Sequence, residues 1–581
     1  RDSSTSRGLG DVYKRQICIG LNRKYIILPT TIQIHYSTYQ INMFSHNRII
    51  ITLLAGTLGM CTCIRADQLT INVDQAGNLR TLLQDKTDGL TGLKLTGDLN
   101  GTDILYLREL SGSNLEGDST ESGVLQHLDM SGAHIVQGGD PYYSFYWDEY
   151  FSEDNKIGIS MFANCHTLVD VTLPADVTEL CENAFNEATN LEQISFGENV
   201  TSIGEMAFSQ TGLKEVALPQ SVATLGDMAF YACAALKRAK LSDNIEQIGY
   251  GTFYFCSALE EVNIPAKAQS IGVNAFHSCT SLKRIAIPAS VTDLSDAAFG
   301  WCTALESYDV NPENPNYSSI DGVLFNKDAS TLYKYPAGKT SEGYSIPTSV
   351  TEIGYSSFEE SVLVHLVMDN NVTTIGANAF FNCKKLEDIV LSTSLVSIPR
   401  QCFFGCQQLK SLTIPASVET LGESAFMTAG LESIIIPNSI SSLPEDCFYG
   451  CENLASVHIP ASVNKISDRA FYNCIALKAI RCDNPEPPAC ESASSFNNVD
   501  RNTCQIDVPA GSVDAYAQAA IWSEFKKISE FNPSGISEIS NCTDVVVTAR
   551  YTLDGKRVET PVPGINIVVL SDGTHRKEIV R

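Results

Sequence analysis

Nineteen cysteines and nine histidines are the side chains of this 581-residue chain with the chemistry to hold a metal, form disulfides or act as nucleophile and base. Nine of the cysteines recur in one kind of place. Cys165, Cys233, Cys256, Cys279, Cys302, Cys383, Cys406, Cys451 and Cys474 each stand three residues after a phenylalanine. A zinc site needs thiolates that converge in tetrahedral geometry, and one cysteine per repeat makes a row that does not converge. Units stacked at about 5 Å bring successive cysteines inside disulfide range. Equivalent side chains of stacked units, however, point in parallel and inward, so buried thiols acting as small apolar residues are the expectation. Cys482, Cys490 and Cys504 lie in irregular sequence, where a disulfide stays open.

The histidines give no base for catalysis: His166, His277, His365 and His458 fall in different slots of the repeat, none with a nucleophile beside it. Paired carboxylates on a pocket and a phosphate-cradling glycine loop are also missing. No catalytic, cofactor-binding or metal-ligating residue is therefore assigned. Asn326 and Asp328 hint at a cation site, but the same residues also favour a turn. The net charge of −27 repels phosphate backbones, so nucleic acid is not expected as a partner.

What would position these side chains is a repeat. Phe162, Phe185, Phe208, Phe230, Phe253, Phe276 and Phe299 fall 22 or 23 residues apart, and Phe358, Phe380, Phe403, Phe426, Phe448 and Phe471 resume the series. The unit is clear at Leu282 to Cys302, LKRIAIPASVTDLSDAAFGWC. Leu282, Ile285 and Ile287 alternate with outward residues as in a strand with one buried face, and Pro288 ends it. Val291 and Leu294 turn the chain, and the segment through Ala298 and Phe299 predicts a short helical or 3₁₀ turn that lays the ring inside. A coil of this size cannot bury its apolar side alone, so the units must stack into a solenoid with a strand ladder on one face. Three units are one residue shorter, between Phe208 and Leu213, Phe358 and Leu363, and Phe426 and Leu431. These three lack the cysteine, and Ala188 is the one full-length exception, so the cysteine is expected inside the longer turn.

IPASVTDLSDAAFGWCTAL, IPASVETLGESAF and IPASVNKISDRAFYNCIAL resemble the BspA-like leucine-rich repeat, from Phe162 to about Ile480. The resemblance implies a leucine-rich-repeat solenoid on a bacterial surface protein that binds host matrix, other cells or polymers. It also implies that residues 67–150, with LTGLKLTGDLNGTDILYLREL, form an N-terminal cap ahead of repeats at 151–481, and that 482–531 close the other end through Val508, Pro509, Ala515, Tyr516, Trp522 and Phe525. The long spacing from Phe299 to Phe358 holds Val323–Phe325 and Thr331–Tyr335, a hairpin inserted at about 311–345. Residues 532–581 form a small all-β tail with turns at Asp554-Gly555, Pro563-Gly564 and Asp572-Gly573. The tail resembles the C-terminal sorting domain of Bacteroidota type IX secretion, and departs from it where Asn566 replaces a tyrosine.

Met43 opens a secretory signal layout, with His46 and Arg48 before the apolar run Ile49 to Ala55 and small residues up to Ala66. That run is too short to span a membrane, which takes about 20 apolar residues, so no span is expected once 43–66 are removed. Cys61 and Cys63 offer a rival lipoprotein reading, with Met60 and Thr62 before them where a small residue is usual. Residues 1–42, opening RDSSTSRGLGDVYKRQ, resemble adaptor or untranslated sequence.

Strand alternation points one residue outward between each inward pair: Thr172, Ser195, Ala217, Lys240, Asn263, Ala286, Thr413, Ile435, His458 and Arg481. These small and mixed side chains suit a broad partner, a protein or glycan on host matrix or other cells. An adhesin-like protein at the bacterial outer surface is the leading expectation, and a structural spacer without a ligand is the alternative. A repeat-scaffolded hydrolase is disfavoured, because no segment outside the repeats could hold a separate catalytic domain.

Overall fold

A computed structural model describes residues 68–121, 123–341, 343–531, 547–552, 557–562, 564–570 and 575–580. The leader, the signal-like segment with Cys61 and Cys63, and the Asp554-Gly555 and Asp572-Gly573 turns lie outside the described residues. The fold is a parallel β-solenoid.

Each coil begins with a strand such as Arg284–Ile287, in which Ile285 and Ile287 are buried while Arg284 and Ala286 face out. It pairs in parallel with the next coil, Ala286 opposite Asp309. After the proline a second strand of two residues follows, which alternation in the sequence is too short to reveal. Ser270–Ile271, for example, lies between Gln247–Ile248 and Asp293–Leu294.

The third side carries the phenylalanine. Ala275, His277 and Cys279 donate to carbonyls three residues back, at 3.1–3.2 Å, as a 3₁₀ turn requires. The alternate residues leave the coil: Phe276 and Ser278 donate to Ala298 and Gly300 of the next coil, both at 2.8 Å. This alternation needs left-handed residues two before and two after the ring, here Asn274 (φ 57°) and Ser278 (φ 62°). Residues other than glycine resist that conformation at about 1–2 kcal/mol each, and the cross-coil bonds offset it. The turn is therefore a third ladder between coils and not a helix.

The rings form two stacks, one from Phe162 to Phe299 and one from Tyr335 to Phe496. All thirteen phenylalanines are buried, and neighbours such as Phe230 and Phe253 lie with centroids 5.3 Å apart and planes 5° from parallel. Phe496, on Phe471 at 5.2 Å, adds a fourteenth that the sequence hides because its spacing is irregular. In the gap, Tyr335 takes the ring position and stacks on Phe358 at 5.1 Å, while Phe299 meets Tyr308 edge-on. There Tyr317–Ile320, Val323–Asn326 and Thr331–Lys334 form an antiparallel meander whose last strand joins the short-strand ladder beside Glu352–Ile353. The core divides at this point into two consecutive clusters.

A ladder leaves acceptors orphaned in its first coil, and buried carbonyls need partners. By the rule seen along the turn, Ile159, Met161 and Ala163 should each receive an amide from a coil that does not exist. Tyr142 Oη donates to Ile159 O at 3.0 Å, and Arg108 Nη1 donates to Met161 O and Ala163 O, both at 3.1 Å. Arg108 is fully buried and reaches Ser160 O, Ser113 Oγ and Asn114 O as well. It comes from the helix Gly101–Leu110, which begins with a capping box of Asn100 and Asp103. Arg108→Met should therefore lower stability by about 3 kcal/mol or more, as expected when a buried charge-assisted network loses its donor. Urea unfolding monitored by circular dichroism checks this, and an unchanged midpoint refutes the role.

Candidate functional site

Among the described residues every cysteine is a free thiol, including Cys482, Cys490 and Cys504. The repeat cysteines are buried, and most do something directional: Cys256 Sγ donates to Phe230 O at 3.0 Å, Cys302 to Phe276 O at 3.1 Å and Cys383 to Phe358 O at 2.9 Å. Each joins one coil to the carbonyl of the ring residue in the coil before it. Burial pushes Cys302 up to about 12 and Cys165 up to about 11, which suppresses the reactive thiolate. Among the described cysteines only Cys181 and Cys490 are partly exposed. Brief treatment of the native protein with a maleimide should modify these two alone among the described cysteines, as read by peptide mass spectrometry. Rapid labelling of Cys279 or Cys302 would contradict the packing.

The structure scatters the histidines as the sequence does. His365 Nδ1 lies 3.1 Å from Asp388, and His458 Nε2 lies 2.6 Å from Asp483. His277 packs between Tyr254 and Trp301, and its Nδ1 meets Ser278 Oγ at 2.9 Å. Burial, with the Lys334 charge nearby, holds His277 down to about 4. Between pH 6.5 and about 4 the unfolded chain binds a proton here that the folded chain does not, so stability falls as pH is lowered through this window. His277→Gln should flatten the fall in melting temperature between pH 7 and pH 4, and an identical profile in both proteins would exclude it as the cause. Asn326 and Asp328 build their own turn: Thr331 N donates to Asn326 Oδ1 at 2.9 Å and Ser330 Oγ to Asp328 Oδ1 at 2.7 Å. Among the described residues no group of three or more His, Cys, Asp or Glu is placed to hold a metal ion.

Nine of the ten outward positions lie in or directly after a first strand and fall on one face, whereas residues 411–415 form no strand, so Thr413 stands outside the ladder that its place in the repeat predicts. Ser195, Ala217, Lys240, Asn263, Ala286, Thr413, Ile435 and Arg481 are exposed, and Thr172 and His458 are partly covered. Register places Thr172 beside Ser195, Ala217 beside Lys240, and Ile435, His458 and Arg481 in one row. Ile435 is 66% exposed, an apolar side chain left in water at the first position of that row. Not all these side chains are free. Asn263 exchanges two bonds with the Leu241 backbone, at 2.7 and 3.1 Å, and so replaces a missing strand residue. Arg481 Nε donates to Asp483 at 2.9 Å, and its guanidinium lies 4.0 Å over the Phe531 ring. Burial raises the Asp483 carboxyl, but the bonds from Arg481 and His458 outweigh it and hold the group below its ordinary value. A shallow open depression of about 420 Å³ lies between Asn263, Ala286, Asp309 and Asn311.

Two aromatic surfaces escape a search confined to the strand face. Tyr231, Tyr254, Phe255, His277 and Trp301 run across consecutive coils on the turn side, with centroids 4.2–6.4 Å apart along the row. Their signal was present in the sequence, since Tyr231 and Tyr254 directly follow core phenylalanines. The hairpin Gly138–Phe145 and Asp148–Ser152 exposes Phe145, Tyr146 and, at 96%, Trp147.

A family model described as BspA type leucine rich repeat region matches in six copies, over spans that include 155–276, 246–386, 333–455, 373–501 and 419–542 and together cover more than half of the chain. No curated protein sequence matches significantly. Among solved structures, a leucine rich cell surface protein from Faecalibacterium prausnitzii A2-165 is similar at 30% identity and TM-score 0.48, covering 61% of this chain and 87% of that one. The pneumococcal vaccine antigen PcpA is similar at 23% identity and TM-score 0.45, over 70% of this chain and 88% of that one. A leucine-rich repeat protein from Bacteroides ovatus ATCC 8483 is similar at 24% identity and TM-score 0.37, over 63% and 90%. Among the described residues no helix is long and apolar enough to cross a membrane.

Proposed function

This chain belongs to the BspA-type leucine-rich repeat family, and from that premise we propose that it is an exported, adhesin-like binding protein whose outward strand face engages a protein or glycan on host matrix or on other cells. The observation that carries the proposal is the face itself. Ladders on the other two sides consume the backbone and the inward side chains, whereas the positions from Ser195 to Ala286 and the row from Ile435 to Arg481 present mixed, solvent-facing side chains on a paired-strand support. Ile435, exposed beside His458, has the character of an apolar anchor on that face. Binding without catalysis fits the buried repeat thiols and the pairing of His365 and His458 with aspartates.

Export supports the same reading. Residues 43–66 carry the signal layout, and 532–581 form the tail that resembles a type IX sorting domain. In that tail the departure at Asn566 has a local use: its side chain donates to Val562 O at 2.7 Å and accepts from Val562 N at 3.0 Å. We assign 67–150 and 482–531 as the terminal caps of the repeats at 151–481.

The test is binding of the purified chain to matrix proteins, mucins, glycans and intact bacterial cells, compared with Lys240→Glu, Thr413→Glu, Ile435→Asp and Arg481→Glu combined. Saturable binding that weakens at least tenfold, about 1.4 kcal/mol, with an unchanged melting temperature supports the face. Binding equal in both proteins moves the contact to another surface. Binding to nothing on the panel favours a structural spacer.

A further inference from the structure

Across the solenoid the outward residue of the first strand meets solvent, as at Ser195, Lys240 and Ile435. Two adjacent coils break the pattern. Val367 and Val390 stand opposite each other in register on that outward side, yet are only 3% and 4% exposed. The main core does not cover them. They form a separate cluster with Tyr551 and Ile567, which come from the first two strands of the C-terminal sheet. Beside the valines Arg557 Nη1 donates to Asp388 Oδ2 at 2.8 Å, and the Tyr551 ring stands edge-on to His365 at 6.2 Å. Apolar, aromatic and ionic contacts thus meet at one spot. Burial raises the Asp388 carboxyl, but its bonds with His365 and Arg557 prevail and hold it below the ordinary carboxylate range.

The need for such a seat follows from size. The tail sheet has three antiparallel strands, Val547–Thr552, Gly564–Leu570 and His575–Val580. A sheet that small cannot enclose a core and depends on packing its apolar side against something else. Two adjacent valines in register on the outward face, with a carboxylate beside them for the tail's arginine, supply that surface.

We propose that the strand face at residues 365–367 and 388–390 is a docking site for the chain's own C-terminal sheet, and that the seated sheet withholds these two coils from outside partners. The docking needs no partner; only its consequence for binding rests on the strand-face function above. Displacing the tail uncovers Val367, Val390 and Asp388 and joins the two exposed rows into a longer surface. A tail seated nine-tenths of the time weakens apparent binding across these coils about tenfold.

The test is the reactivity of an introduced thiol in the full chain. Val390→Cys is combined with either the native tail or Ile567→Asp, and Thr413→Cys serves as the uncovered control. With the native tail the thiol at 390 should react with a maleimide at least tenfold more slowly than with Ile567→Asp, while the thiol at 413 reacts equally in both. Equal rates at 390 overturn the docking. Because Val390→Cys could itself loosen the seat, amide exchange of Val547–Thr552 is read with native Val390. Arg557→Glu should accelerate that exchange at least tenfold, and Asp388→Arg together with Arg557→Glu should restore it. Exchange unaffected by Arg557→Glu also overturns the proposal. A chain whose tail docks but which binds nothing on the partner panel loses the adhesin function and keeps this site.

Discussion

The backbone of one coil can be satisfied only by the backbone of the next, and the rest of the molecule follows from that constraint. Three ladders join successive coils: the long strands, the two-residue strands and the alternating bonds of the turn. Leaving a buried peptide group unpaired costs about 1–3 kcal/mol, so a coil without neighbours has no stable state. The left-handed residues around each phenylalanine are tolerated for the same reason. Strained conformations of this kind persist where surrounding bonds over-determine them.

Stacking at a fixed spacing also selects what can stand inside. Like must lie on like, and flat rings, small alanines and thiols that reach back to a carbonyl all accept that repetition. Charge does not, unless it has a task. The Arg108 guanidinium donates to Met161 O and Ala163 O, where the first coil lacks amide donors. Lys334, at the interrupted coil, is buried and donates to Ser356 O at 2.7 Å, and burial depresses its pKa. Both stand where periodic bonding stops, at an end and at an insertion.

With the interior and the backbone committed, sequence freedom remains on the outward strand positions and the turn surface. That is why side chains as different as Lys240, Ile435 and Arg481 occupy equivalent places without disturbing the fold. It is also why the proposed binding role is placed there, and why Val367 and Val390 on the same face can pack against the tail.

The sequence by itself determined the solenoid, the thirteen-ring register, the strand with its outward row and the inward cysteines, because each is a local pattern repeated until chance is excluded. Tertiary structure decided whatever depends on a neighbour outside that period. The second strand is too short to alternate, the turn adds cross-coil bonds to the 3₁₀ bonds expected locally, and Phe496 and Tyr335 extend the second stack from irregular sequence. The outward row was legible as positions, but not its state: Asn263 is bound to backbone and Arg481 to Asp483 and Phe531. The burial of Val390 beneath Ile567, 177 residues later in the chain, leaves no trace in any local pattern. Contacts between chemically unlike segments are fixed by three-dimensional shape, and periodicity carries information only about segments that are alike.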